Sequence, residues 1–158
     1  MAEEEDEALQ IFIRRDARKS AQANLTQTYV AKEEGEKRIK GYVSLMCAEV
    51  KLERTYAIAD KAGADRYDYH PAVRIARLAV ETGHAGNGIG RQLVETAVGV
   101  ALLSIVLNVG CRFVILDAKP KSISFYRHLG FRLLETDGNL KAATPLMFMD
   151  LKNLIGQT

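Results

Sequence analysis

The amino-acid sequence predicts a single α/β domain, in which a mixed β-sheet carries helices on both faces. Its 158 residues are enough for one full hydrophobic core and too few for two. Short β-rich segments alternate along the chain with helical ones. Two strongly apolar segments, 71–80 and 112–118, flank a long helix, and such a β-α-β unit implies a parallel pair of strands within the sheet.

The first residues differ in composition from the rest of the chain. Residues 3–7 are all acidic, so we predict a disordered acidic tail over 1–7 and a single domain over 8–158. The chain has 22 Lys and Arg against 20 Asp and Glu, so without these five acids 22 basic residues face 15 acidic ones, a net charge of +7. A basic body suits a polyanionic partner.

Composition also bounds the location of the protein. The start "MAEEEDE" lacks the basic-then-apolar order of a signal peptide, and no apolar segment is long enough to span a bilayer. We therefore expect a cytoplasmic protein with no membrane partner. Cys47 and Cys111 lie in apolar, strand-like segments, where we expect buried free thiols.

The first half of the chain begins with a helix over 8–22. This spacing places four cations on one side of the helix: Arg14, Arg15, Arg18 and Lys19. Segments 26–32 and 39–50 are β-rich and flank a turn around Gly35, which predicts two antiparallel strands. Residues 53–70 give no clear prediction.

The second half contains the β-α-β unit and two closing strands. In strand 71–80 the apolar positions change parity near Ala76, which a β-bulge or burial on both faces would explain. The helix over 89–109 is apolar nearly all round from Ala97, so we expect it to be largely buried. A short helix over 121–130 precedes the closing strands "FRLLE" and "TPLMFMDLKNL".

Four glycines lie between strand 71–80 and the helix that follows it: Gly83, Gly86, Gly88 and Gly90. A strand that passes through glycines into a helix leaves the first helical N–H groups unpaired, and such a terminus binds phosphate. A nucleoside-triphosphate loop needs Lys-Ser/Thr after its last glycine, whereas Arg91 and Gln92 follow here. A dinucleotide loop needs Gly or Ala at Arg91 or Leu93. Both are excluded, and a plain tight turn stays open.

The segment "AGNGIG" (85–90), between an "LAV" strand and a long helix, resembles the pyrophosphate loop of the GNAT superfamily of acyl-CoA-dependent N-acyltransferases. That loop reads Gln/Arg-x-x-Gly-x-Gly/Ala, so Gly88 and Gly90 match it and Ala85 departs from it. The segment "SFYRHLGF" (124–131) resembles the second motif of the family, an aromatic pair on a helix before Gly-Phe. The resemblance extends over roughly 41–151.

The resemblance implies a mostly antiparallel mixed sheet with a central parallel, splayed strand pair that admits the pantetheine arm of acetyl-CoA. Coenzyme A would contact the end of the strand, the loop and the second motif, at Leu78, Ala79, Val80, Ala85, Gly86, Asn87, Gly88, Ile89, Gly90, Arg91, Ser122 and Phe125. Tyr126 matches the family's phenol beside the sulfur and would act as general acid. Its ordinary pKa near 10 is close to that of a thiol, which favours proton transfer.

No general base stands out. Six residues are candidates by type, and a surface or loop position is the simpler expectation for each: Glu81, Asp117, Asp68, His70, His84 and His128. No spacing of His, Cys or acidic residues suggests a metal site. Without a strong base, an α-amino acceptor with a pKa near 8 is favoured over a lysine with a pKa of about 10.4.

Three further segments, "ARLAV", "KGYVSL" and "PLMFMDLKNL", are similar to the small acetyltransferase toxins of bacterial toxin–antitoxin pairs. These toxins acetylate the amino acid on charged tRNA, which implies an aminoacyl-tRNA acceptor, an antitoxin partner and a possible homodimer. Two alternatives stay open: acetylation of a small amine or a protein N-terminus, and a non-catalytic coenzyme A-binding domain. Ala85 favours the non-catalytic domain and Tyr126 favours an enzyme.

Overall fold

The computed structural model describes residues 2–52 and 67–155 of the chain, with side chains from residue 7 onward. Among these residues, six strands form one sheet in the order β1-β2-β3-β4-β6-β5. The strands are β1 Gln27–Ala31, β2 Gly41–Lys51, β3 Tyr69–Val80, β4 Phe113–Asp117, β5 Arg132–Leu133 and β6 Leu146–Asp150. The helices are α1 Ala2–Ile11, α2 Ala17–Gln22, α3 Ile89–Val100, α4 Ile123–His128, α5 Asp137–Leu140 and α6 Lys152–Ile155.

The register of the strands confirms the predicted mixed sheet. The pairs β1–β2, β4–β6 and β5–β6 are antiparallel, and β3 and β4, in the centre, are parallel. The parallel register comprises three residue pairs, from Ala72 and Phe113 to Arg74 and Ile115, although β3 has 12 residues. The β-α-β pattern in the sequence therefore identified the parallel pair correctly.

The N-terminal helix begins earlier than the sequence analysis expected. Helix α1 starts at Ala2, a π-helical turn follows at Phe12–Asp16, and α2 continues to Gln22. Most of the segment predicted as a disordered acidic tail is thus helical in the structure. Alanine and glutamate are strong helix formers, and acidic residues near a helix N-terminus interact favourably with its dipole.

Two compact units divide the chain, and β2 and β3 each contribute to both. Unit 1 comprises Met1–Met46 and Ile75–Val100, and its core holds Phe12, Ala17 and Tyr42 with Leu9, Ile13 and Ala79 packed against them. Unit 2 comprises Cys47–Arg74 and Ala101–Thr158, and its core is built from Val50, Leu52, Ala72, Phe113, Ile115, Leu134 and Phe148.

The end of the long helix is exposed, so the prediction that it is largely buried is wrong. Helix α3 and a π-helical segment at Ala101–Ile105 cover most of the predicted range. Within the π-helical segment Leu103 is 75% exposed, and beyond it Leu107 and Val109 are 73% and 66% exposed. Apolar composition shows which residues could be buried, but the surface that is available for packing decides which of them are.

The prediction that both cysteines are buried free thiols is also only partly correct. Both cysteines are free thiols, but Cys47 is exposed and Cys111 is half-buried, with a pKa raised by that burial. In β2 the residues Gly41 to Leu45 are all buried and exposure begins at Met46, so Cys47 lies just past the covered part of an apolar strand. No helix in the described part of the chain is long and apolar enough to cross a membrane.

Candidate functional site

The glycine-rich segment forms an open loop between β3 and α3. A short turn, Thr82–His84, follows β3, and Gly86 and Gly88 then have positive φ angles of 85° and 80°. Glycine is the residue that adopts such angles without strain, so these two positions let the chain turn into α3. A Cβ atom at either position would meet no other atom within 4 Å, so the loop backbone is open to a ligand.

The start of α3 leaves amides without backbone partners. The amide of Gln92 donates to the Gly88 carbonyl at 3.0 Å and makes the first helical hydrogen bond. Within residues 2–52 and 67–155, no backbone carbonyl accepts a hydrogen bond from the amides between Gly88 and Arg91. Such amides lie at the positive end of the helix dipole, and a phosphate group can accept hydrogen bonds from them. The local geometry therefore suits an anion.

Glu81, at the end of β3, is held in an ion pair that the sequence analysis did not identify. The Arg38 Nε donates to Glu81 Oε1 at 2.7 Å, and Arg38 Nη2 contacts the same oxygen. His84 Nδ1 lies 3.0 Å from Glu81 Oε2. Hydrogen bonding from Arg38 is the main cause that lowers the pKa of Glu81. A carboxylate stabilised in its charged form is a weak proton acceptor, so the geometry does not favour Glu81 as a base.

A cleft of about 660 Å³ opens in unit 1 beside this ion pair. Its walls carry both apolar and basic side chains, among them Leu9, Ile13, Ile39, Tyr42, Ala79, Val80, Arg14, Lys37, Arg38 and Lys40. The Tyr42 hydroxyl donates to the Leu9 carbonyl at 2.9 Å and so links β2 to α1. Burial raises the pKa of Tyr42 to about 12, so this phenol stays protonated. The basic run "EKRIK" before β2 is the sequence signal that could have located this cleft.

Tyr126, the predicted general acid, lies on α4 in unit 2. Its side chain is 8% exposed and packs edge-on against Phe125 and Phe131, with ring centroids 5.0 and 5.8 Å away. Gly130, with a φ of 96°, ends the turn after α4, and the Phe131 amide donates to the Tyr126 carbonyl at 3.1 Å. The "Gly-Phe" of the motif thus holds the tyrosine ring in place.

Burial changes the acid strength of this tyrosine. It raises the pKa of Tyr126 to about 12, above the value near 10 on which the sequence argument relied. At neutral pH the phenol therefore carries its proton, as a proton donor must. Transfer to a thiolate with a pKa of about 8.5 would be uphill by roughly 5 kcal/mol, so the two pKa values are matched less closely than the sequence analysis expected.

The other predicted site residues lie as follows. Ser122 and Phe125 are half-buried, Leu78 to Val80 are half-buried, and Ala85 to Gly88 are exposed. Asp117 is exposed and accepts from Arg74 Nη1 at 2.5 Å, and Asp68 is exposed. These positions agree with the expected surface roles of Asp117 and Asp68.

The histidines divide between surface and core. His128 is exposed, and its Nδ1 lies 2.6 Å from the Ser124 carbonyl. His70 is buried and packs edge-on against Phe113 at 5.7 Å, so the expected surface position is wrong. Strand β3 begins at Tyr69, earlier than predicted, and this places His70 on an inward face. In the described residues no three His, Cys or acidic side chains are grouped to hold a metal ion.

Comparison with known proteins gives a family and a set of similar structures. Residues 24–133 match the acetyltransferase (GNAT) domain. A mutant of KacT has a TM-score of 0.78 and 22% identity, with 96% of this chain and 86% of that chain covered. AtaT complexed with acetyl-methionyl-tRNA has a TM-score of 0.78 and 24% identity, with the same coverage. AtaTR bound with acetyl-CoA has a TM-score of 0.73 and 26% identity, with 96% and 85% covered.

Proposed function

Because the chain belongs to the GNAT family of acetyltransferases, we propose that it transfers the acetyl group of acetyl-CoA to a primary amine. The observation that carries this proposal is the open glycine loop, in which the amides between Gly88 and Arg91 have no backbone partner in the described structure. These amides would bind the coenzyme A pyrophosphate, together with the other residues of the loop, Ala85, Gly86 and Asn87.

The reaction needs a bound thioester, a polarised carbonyl and a proton for the departing thiolate. The acceptor nitrogen attacks the thioester carbonyl, so a C–N bond forms and the C–S bond breaks, while the amine loses a proton to water and the thiolate gains one. Backbone N–H groups of Leu78 to Val80 would bind the pantetheine and polarise the carbonyl, as the family resemblance implies. Tyr126 would donate the proton to the thiolate. Because burial raises the pKa of Tyr126 to about 12, the ease of this proton transfer depends on how bound substrate changes the environment of the phenol.

We propose the α-amino group of an aminoacyl-tRNA as the acceptor. The structurally similar AtaT is described in complex with acetyl-methionyl-tRNA, and the body of this chain beyond residue 7 is basic. Shape and phosphate contacts supply most of the affinity for tRNA, so cations serve better than base-reading side chains. The weak basicity of Glu81 also favours an amine that is partly neutral at pH 7.

The same similarity supports a partner and a location. AtaT is described in complex with the antitoxin AtaR, and KacTA in complex with DNA. We therefore propose that an antitoxin neutralises this protein, and that it acts in the cytoplasm, where charged tRNA is present. Self-association as a homodimer stays a prediction.

A thiol-release assay with acetyl-CoA and a panel of amines tests the proposal. The panel contains bulk charged tRNA, a polyamine, free amino acids and a peptide with a free N-terminus. We expect rapid release with charged tRNA and slow release with the others. Release with a small amine or a peptide alone would instead identify a small-molecule or protein acetyltransferase.

A non-catalytic coenzyme A-binding domain is the second candidate. The exposed Ala85 favours it, because alanine offers no polar side-chain contact where the family has Gln or Arg. Coenzyme A binding without thiol release for any amine would support this second candidate and contradict the first.

A further inference from the structure

We propose that the cleft in unit 1 binds the aminoacyl end of the charged tRNA. An apolar amino-acid side chain would lie against Leu9 and Ile13, and the terminal phosphates would bind Arg14 and Lys37. This inference rests on the proposed function. It specifies where the acceptor binds and which aminoacyl groups the protein prefers.

The cleft and the glycine loop lie on different faces of unit 1. Tyr42 lines the cleft and stacks on Phe12, in the N-terminal helical segment, with ring centroids 5.9 Å apart. A Cβ atom on the neighbouring Gly41 would instead lie 3.0 to 3.1 Å from Leu93 and Ile89 of α3. Successive residues of a strand point to opposite faces, so the cleft opens on the α1 face and the glycine loop leads into α3 on the other.

The two sites nevertheless meet at the end of β3. Val80, Glu81 and Thr82 line the cleft, and the glycine loop starts directly after them. An amine held in the cleft would therefore approach the strand end whose amides are proposed to bind the thioester. The cleft therefore has the position that an acceptor site requires, and an acceptor bound in it leaves the loop amides available to coenzyme A.

The wall that carries Ile13 and Arg14 is a π-helical turn. This turn spans Phe12–Asp16, and the Ala17 amide donates to the Phe12 carbonyl, five residues earlier. A π-turn adds one residue to a helical turn, and such turns occur frequently at functional sites. Here two successive side chains, one apolar and one basic, both reach the cleft.

The cations of the cleft divide into paired and unpaired groups. Arg38 is paired with Glu81 and Lys40 with Glu33. In the described part of the chain, Arg14 and Lys37 have no acidic partner, and both are exposed. Phosphodiester groups near the 3′ end of tRNA can therefore bind these two cations without breaking an ion pair.

The apolar wall predicts a preference among acceptors. Leu9 and Ile13 are half-buried and contact the Phe12–Tyr42 core, so their positions are set by packing. A charged amino-acid side chain placed against them would lose hydration without gaining a partner. We expect tRNA charged with apolar amino acids to be acetylated at least about tenfold faster than tRNA charged with acidic or basic ones.

The cations are tested with a pair of double variants that change the net charge equally. In Arg14→Glu/Lys37→Glu the reversed charges lie in the cleft, whereas in Lys32→Glu/Lys141→Glu they lie on exposed side chains outside it. For charged tRNA we expect kcat/KM to fall more than tenfold in the cleft variant and less than threefold in the control. The slope of log kcat/KM against log salt should become shallower by about 1.4, from two lost phosphate contacts on a single strand.

The apolar wall is tested with Ile13→Asp and the conservative Ile13→Val, each with tRNA charged with methionine, valine, aspartate or lysine. We expect Ile13→Asp to lower the ratio of apolar to charged acceptors at least tenfold and Ile13→Val to keep it. If Ile13→Asp does not fold, Ile13→Ser and Leu9→Ser test the same ratio. Coenzyme A affinity, measured separately, should be unchanged throughout.

The outcomes separate this inference from the function on which it rests. If the parent acetylates charged tRNA and the cleft variants behave like their controls, the cleft is not the acceptor site, although the proposed function holds. If the parent acetylates no charged tRNA but releases thiol with another amine, the proposed acceptor is wrong and the inference is wrong with it.

Discussion

Replacement of Gly88 by valine tests the role of the glycine loop in binding coenzyme A. Gly88 has a φ of 80°, and a Cβ atom there would meet no other atom within 4 Å. The cost of the substitution is therefore backbone strain rather than a clash with the protein. A left-handed conformation costs an ordinary L-residue about 1–2 kcal/mol, and a β-branched residue is among the least tolerant.

This strain has two possible consequences for the loop. If the loop keeps its conformation, the free energy of unfolding falls by about 1–2 kcal/mol, and the valine side chain projects into the space through which a pyrophosphate would reach the amides. If the loop changes conformation, the amides between Gly88 and Arg91 no longer point to one ligand. Either change should weaken coenzyme A binding more than tenfold, which corresponds to about 1.4 kcal/mol.

Isothermal titration of coenzyme A into the parent, Gly88→Val and Gly83→Val measures this effect. Gly83 is a matched control, because a Cβ atom there also meets nothing within 4 Å and its φ is not in the left-handed range. We expect a more than tenfold rise in Kd for Gly88→Val and little change for Gly83→Val. An unchanged Kd in Gly88→Val, with a native circular dichroism spectrum, would refute the assignment of the loop.

Three further predictions concern the acid, the ion pair and the helix cations. In Tyr126→Phe, the ring packing is retained, so the denaturation midpoint and coenzyme A affinity should barely move while kcat falls about 100-fold; an unchanged kcat would make Tyr126 a core aromatic only. Because the pKa of Glu81 is lowered on folding, its ion pair stabilises the protein above the ordinary carboxyl pKa, and this contribution is lost as the pH falls through the folded-state value. Glu81→Gln should therefore show a smaller loss of stability in urea titrations below about pH 4.5 than the parent, and parallel curves would contradict this. The N-terminal helical segment carries four exposed cations, Arg14, Arg15, Arg18 and Lys19. Their reversal to glutamate should abolish acetylation of charged tRNA and flatten its salt dependence, while transfer to a free small amine is retained in the same assay.

Local patterns in the sequence were sufficient for the strands and for the glycine loop. The apolar segments 71–80 and 112–118 became β3 and β4, because each carries enough apolar surface to require burial in a sheet. The loop was also predicted, because Gly86 and Gly88 are needed where φ is positive. These features depend on residues that are close together in the chain.

Features that depend on distant residues were missed. The ion pair between Arg38 and Glu81 joins positions 43 residues apart, and neither residue lies in a motif that names its partner. The pKa of Tyr126 depends on how deeply its phenol is buried, which composition does not give. The exposure of Leu103 has the same origin, because the area available for packing is a property of the fold.

The most direct test of the central claim is the mass of the reaction product. Purified protein is incubated with isotopically labelled acetyl-CoA and bulk charged tRNA, the ester bond to tRNA is hydrolysed, and the released amino acids are analysed by mass spectrometry. We predict labelled N-acetyl amino acids, with apolar ones most abundant, and at least about tenfold less of them at subsaturating acetyl-CoA when Gly88→Val replaces the parent. Unmodified amino acids alone, from a protein that binds coenzyme A, would contradict acetyl transfer to aminoacyl-tRNA.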